Sequence, residues 1–293
     1  MDFIIALKSF FASLFGFTLS VLRIIVFTKL SALYSPSKKK REKSLIILGN
    51  GPSLESDLSN KVSDFKNFDF LAVNHFSESD LYEKIQPSIY CIGAPELFED
   101  NATEELKTKS DNLFKSINKK TSWPITIYLN TRAYKSNRWR SILNGNPHIS
   151  IKYFNRTPIE GFFKYFFWRY NFGMVRPHNV LIPSIMIAIN ENYKRLCLFG
   201  ADHSWLKELS VSDKNEALLN QKHFYDIKKS KPSTMRKDLK GLQSRKLHEI
   251  LYKFYLSFKG YHEINKYSKR FNVEIFNLTT DSFIDAFERK EKC

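Results

Sequence analysis

Cysteine is scarce in this sequence, and the usual marks of a metal or hydrolase site are missing. Three cysteines, Cys91, Cys197 and Cys293, stand in 293 residues without a CxxC spacing, which argues against a zinc site. Cys91 and Cys197 lie inside apolar strand patterns, which predicts reduced thiols in a cytosolic compartment. There is no HExxH, no DxD pair after a strand and no His/Cys cluster, so no metal and no cofactor is expected. The absence of GxSxG argues against a Ser-His-Asp hydrolase. No internal repeat and no low-complexity tract occurs. Acidic residues are in the minority, 30 against 46 Lys and Arg, leaving a net charge of +16. Such a chain suits anionic partners. With 43% hydrophobic residues it has ample core and is globular.

Much of the positive charge sits near the N-terminus. Residues 1–34 form a segment apart, with Lys8 and Arg23 bounding an uncharged run from Ser9 to Leu22. That run is too short to span hydrocarbon alone. On a helix, Lys8, Arg23 and Lys29 fall within roughly a 120° arc. The pattern predicts a basic amphipathic helix lying in a membrane interface, with a tilted single span as the alternative. Residues 35–43 read as a basic linker suited to anionic headgroups. Nucleic acid is therefore not needed to explain the charge. The aromatic stretch "EGFFKYFFWRYNFG", Glu160 to Gly173, lacks an RNA-binding signature and is read as packing or membrane contact.

From residue 44 to 293 the chain reads as one domain. Apolar strand patterns at 45–48, 70–73, 89–92, 125–129, 149–154, 196–199 and 273–278 alternate with helical stretches, among them 183–191 and 242–270. This predicts a Rossmann-like α/β fold, a mostly parallel sheet with helices on both faces. Ligands in such sheets bind beyond the carboxyl ends of the strands. Four strand ends stand out: "GNGPS" at 49–53, "NHF" at 74–76, "GAPELF" at 93–98 and "GADHSW" at 200–205.

The first of these is a tight turn between strand and helix. Gly49 and Gly51 permit positive φ and close approach of another group. Pro52 and Ser53 suit a helix start. Free N–H groups there would attract a phosphate; a plain structural turn is the other reading. It is not a P-loop, because no Lys-Ser/Thr pair follows. Asn74 stands where a dinucleotide site would carry an acid, and its amide can both donate and accept. Asn50, Gly51, Pro52, Ser53, Asn74, Gly93 and Ser204 are the candidate nucleotide-binding residues. After the strand at 196–199, Asp202 and His203 are raw material for acid–base chemistry. "NQKHFYD", 220–226, adds His223 as a candidate base and Tyr225 as a donor to a phosphate oxygen.

"IILGNGPSL", "NHF" and "YKRLCLFGADHSW" resemble the bacterial sialyltransferases of glycosyltransferase family 42. They also resemble the related MptE-like (domain of unknown function 115) proteins, which include motility accessory factors. The resemblance covers most of 44–287, and its final stretch would supply a last strand and helix. It implies that Asn50 and Asn74 contact a cytidine nucleotide. It implies metal-free transfer, with a His as base and Tyr hydroxyls at the leaving phosphate. No His stands in the register of the family's base; His223 is the nearest substitute. The reading is then a glycosyltransferase at the cytoplasmic face of the inner membrane. It would move a sugar, such as a nonulosonic acid, from a nucleotide-sugar to a surface-glycan or lipid-linked acceptor in polysaccharide biosynthesis. The alternatives are an MptE-like pterin diphosphokinase or a non-catalytic nucleotide-sugar-binding protein.

Overall fold

The computed structural model describes residues 2–38, 41–62, 65–225, 230–238 and 242–293. Lys39 and Lys40 of the basic linker, and Asp226 of the 220–226 stretch, lie outside the described residues. The chain opens with helix α1 (Asp2–Phe27). There follow β1 (Ser44–Leu48), α2 (Leu54–Lys61), β2 (Phe68–Val73), α3 (Leu81–Ile85), β3 (Ile89–Ile92), α4 (Glu104–Lys120), β4 (Ile125–Asn130), α5 (Arg138–Leu143) and β5 (Ile149–Phe154). Next are α6 (Lys164–Arg169), α7 (Leu181–Asn190), β6 (Arg195–Phe199), β7 (Leu209–Val211), β8 (Ala217–Leu219) and β9 (Ser233–Thr234). α8 (Leu247–Arg270), β10 (Glu274–Asn277) and β11 (Glu288–Arg289) complete the order.

Eight strands form one sheet in the order β11-β10-β6-β1-β2-β3-β4-β5, every pair parallel. The apolar runs follow from this burial. In β1, Leu45 and Ile47 face one core with α7 and α8, while Ile46 and Leu48 face the other with α2 and α4. A strand covered on both sides has no polar face to alternate. Helix α7 is buried at all ten positions, which is why it is apolar all round. β1 to β5 step outward in one direction. Residues 155–180 then return the chain to the far side of β1, where β6 pairs with it. The strand order reverses between β1 and β6, and that reversal places the site.

Several local expectations change. α7 begins at Leu181 and α8 at Leu247, later than the 242 suggested by apolar spacing. The apparent loop after Trp205 holds β7, β8 and β9, a small antiparallel sheet whose Ala217 and Leu219 pack on Ile250 and Phe254 of α8. After β10 no helix follows; the chain turns into β11, which pairs parallel to β10. Cys197 and Cys293 are not reduced thiols: they form a disulfide, Cα to Cα 5.9 Å across 96 residues. Cys91 is free and buried. The expectation of a cytosolic compartment loses the support it took from unpaired thiols.

α1 is an apolar helix, with a mean hydropathy of 2.1 over Phe10–Phe27. Ser20 and Arg23 face the protein, whereas Lys8 and Thr18 are exposed. Glu160 donates its N–H to Ser20 Oγ at 2.8 Å, and Arg23 donates to Pro158 O at 3.4 Å. Thr28 Oγ1 donates to Phe172 O at 2.6 Å. Gly161, with φ +77, lies so close that a Cβ there would be 2.3 Å from Phe17 N. Arg23 is therefore turned toward the protein, where the amphipathic pattern expected it to face lipid headgroups. Facing outward are Phe15 and Ile25, 72% and 73% exposed, with Phe163 beside them at 71%.

Candidate active site

The carboxyl ends of β1, β2, β3 and β6 meet at one edge and border a cavity of about 720 Å³. Of the residues expected there, Asn50, Gly51, Pro52, Asn74, Gly93, Asp202, His203, Ser204 and His223 line it. Ser53 and Tyr225 are not part of the lining.

The β1 and β6 turns are locked together. Gly49 donates its N–H to Phe199 O and Gly51 to Gly200 O, both at 2.8 Å. Asp202 accepts from Ser53 N at 3.2 Å and from Ser53 Oγ at 3.0 Å. The carboxylate thus occupies the N-terminus of α2, the place where a phosphate was expected. The N–H groups of Gly51 and Ser53 are engaged within the protein. Burial is the largest influence on Asp202 and raises its pKa. Positive φ occurs at Gly200 (+61) and not at Gly51, so Gly51 is required for closeness: a Cβ there would meet Asp202 Oδ2 at 1.8 Å.

The asparagines tie neighbouring strands. Asn50 donates Nδ2 to Val73 O at 3.2 Å, and its Oδ1 is buried without a partner. Asn74, at φ 45, accepts the Gly93 N–H on Oδ1 at 3.2 Å.

His203 is buried against Trp205, ring centroids 4.0 Å apart, and its Nε2 lies 2.6 Å from Tyr261 Oη. Tyr261 donates to Asn179 Oδ1 at 3.0 Å, and that oxygen also accepts the N–H groups of Leu181 and Ile182. A hydroxyl has one proton, so His203 must be the donor through Nε2. Burial pushes its pKa down to about 3, which holds the ring neutral and weakly basic. His223 also lines the cavity. Phe224 donates its N–H to Asn50 O at 3.1 Å and packs on Phe76, which folds the 223–225 segment over the β1 end. The rings of His223 and Tyr225 stack at 5.2 Å.

Sequence reading missed another part of the wall. Arg156 follows β5, His178 precedes α7, Arg245 precedes α8 and Lys253 lies on α8; all line the cavity. Arg156 donates to Pro177 O at 3.2 Å. Among the described residues, no carboxylate comes within ion-pair distance of Arg156, Arg245 or Lys253. Burial lowers the pKa of Arg156 and Lys253, and Glu96 opposes this from a distance. His178 is pushed down to about 4 by burial and then by Lys253, Arg176, Arg156 and Arg245. The signal was present for Arg156, which immediately follows a strand end as the other site residues do. The remaining three come from helix starts that only the folded chain brings together. Among the described residues, no three His, Cys, Asp or Glu side chains converge to hold a metal ion.

No protein-family model matches the chain, and no curated protein does. A solved structure, the MAf glycosyltransferase from Magnetospirillum magneticum AMB-1, is similar to it with a TM-score of 0.50 at 11% identity. The match covers 88% of this chain, which spans 35% of that protein's length. At this identity the likeness is one of fold: the chain shares its Rossmann-like α/β architecture with a glycosyltransferase.

Proposed function

We propose that the protein is a metal-independent glycosyltransferase that takes a sugar, such as a nonulosonic acid, from a nucleotide-sugar donor. The acceptor is a surface glycan or a lipid-linked glycan at the membrane. One observation carries this reading: the roomy, cation-rich cavity lies at the point where the strand order reverses, between β1 and β6. Ligands of open parallel sheets bind there. His223 is the base. It takes the proton of the acceptor hydroxyl, whose oxygen attacks the anomeric carbon. The bond from that carbon to the donor's phosphate oxygen breaks, and the electron pair leaves with the phosphate. The outward apolar side of α1 rests in the membrane on the cytoplasmic side, where tethering raises the effective concentration of a membrane-bound acceptor.

A pterin diphosphokinase would need carboxylates to hold Mg²⁺. Asp202 is committed to Ser53 and Glu208 to Lys222 at 2.6 Å, which favours the transferase. The test begins with thermal shifts against CMP, UDP, GDP and ATP. A ligand at roughly 100 times its Kd stabilises by about 2.7 kcal/mol. Turnover of the matching nucleotide-sugar should then fall about 10²–10⁴-fold in His223→Ala, with donor affinity kept. A response to ATP with Mg²⁺ alone would favour the diphosphokinase. Binding without turnover would leave a carrier of nucleotide-sugars.

A further inference from the structure

We propose that Arg156, His178, Arg245 and Lys253 form the subsite for a phosphate or diphosphate group, with the nucleoside or sugar end of the ligand lying toward Asn50. This deepens the transferase reading and rests on it only for the identity of the donor.

The first argument is charge. Confining cations in a protein is costly unless they are paired. Three cations line this part of the cavity, and Glu96 acts on Arg156 and Lys253 only from beyond ion-pair reach. Arg156, Arg245 and Lys253 have no carboxylate within ion-pair distance among the described residues, and three such cations suit a multiply charged anion better than a lone carboxylate.

The second argument is the type of unsatisfied atom. Arg245 Nε, His178 Nε2 and Asn179 Nδ2 are buried without partners. Each is a nitrogen. Arg245 and Asn179 present N–H donors, and His178 does so once an adjacent anion favours its protonated form. Buried donors without partners are rare, and together they call for a ligand rich in acceptor oxygens. Asn50, at the end of β1, leaves the opposite demand: its unpaired atom is the acceptor Oδ1, which suits an O–H or N–H of a base or sugar. The two ends of the cavity thus differ in polarity and give the ligand a direction. Meanwhile the α2 N-terminus, the obvious anion site, is already filled by Asp202.

The probe is inorganic pyrophosphate, titrated by calorimetry into the full chain in detergent. Hydrogen bonds to charged groups correspond to roughly 10–100-fold in affinity, so Lys253→Gln and Arg245→Gln should each weaken binding at least about tenfold. Lys253→Arg should keep it. Lys214→Gln, on the exposed turn between β7 and β8, should leave it unchanged, which separates a site from bulk charge. Without ligand, the two neutralised variants should melt at or above the wild type, since each relieves repulsion; a structural role would lower the melting point. Absence of pyrophosphate binding, or unchanged affinity in both variants, overturns the proposal. So does loss of binding in Ser53→Ala alone, which would return the anion to the β1 turn. Displacement by nucleotides assigns the subsite to the donor. Displacement by a polyprenyl diphosphate in micelles assigns it to a lipid-linked acceptor. Displacement by neither marks an adventitious site and overturns it. Pyrophosphate binding without sugar transfer keeps the site and rejects the transferase; transfer with wild-type KM for both donor and acceptor in both variants does the reverse.

Discussion

Gly51 has no space for even a methyl group. Its ideal Cβ would lie 1.8 Å from Asp202 Oδ2 and 2.6 Å from Gly200 O. The residue lets two strand-end turns touch, and that contact shapes the β1 side of the cavity. Gly51→Ala should therefore destabilise the fold by about 2 kcal/mol or more, read as a lower denaturant midpoint. Any loss of nucleotide binding should accompany that change in stability. Wild-type stability with abolished binding would mean instead that the side chain blocks a ligand. Asp202 belongs to the same contact: it satisfies the first turn of α2, which is why the proposed base is His223, on a segment tied to the β1 end through Phe224.

At the scale of elements, α1 and residues 155–173 depend on each other. Asn155 and Asn171 are buried, and their amides bond the backbone of Lys29 and Ala32. Arg156, in the proposed anion subsite, directly follows Asn155. Deleting residues 1–34 should thus do more than remove an apolar helix. It should strip partners from buried amides, at roughly 1 kcal/mol for each bond lost, and loosen the segment that carries Arg156. Hydrogen exchange over 155–173 should accelerate in the truncated chain, and exchange in β1 should change little. Unchanged protection in 155–173 would show that α1 adds no stability to that segment.

At the scale of the whole molecule, buried histidine makes stability depend on pH. The His203 pKa is about 3 in the folded chain, against about 6.5 when unfolded. The unfolded state binds the proton first, so this contribution is complete above about pH 6.5 and declines as pH falls toward 3. The slope is up to about 1.4 kcal/mol per pH unit. His178, at about 4, acts in the same direction. Urea unfolding at about pH 7, 6 and 5 should show this decline, and His203→Gln should flatten it. An equally steep decline in that variant would assign the dependence to other groups.

Most strand positions and the site edge were legible in the sequence; the strand order was not. Runs such as Leu45–Leu48 carry no polar face because both of their faces are buried, and a local apolar pattern records that burial directly. The glycine turn and the residues at 202–204 were legible for the same reason: each lies within a few residues of a strand end, and strand ends share one edge of a parallel sheet. His223 was legible only by its residue type in an apparent loop; it follows β8 of the small antiparallel sheet, and only the folded chain brings it to that edge. What a turn's N–H groups bond to is not a local property. Ser53 and Asp202 are 149 positions apart, and their contact fills the α2 N-terminus, which is why the proposed anion subsite moves to Arg156 after β5, His178 before α7, and Arg245 and Lys253 at α8. The Cys197–Cys293 bond and the inward turn of Arg23 are of the same kind. The sequence by itself determined the main parallel strands and the edge that holds the candidate site, because these follow from short-range periodicity. Only the tertiary structure decided which charges at that edge are already satisfied, because pairing depends on distances between residues far apart in the chain.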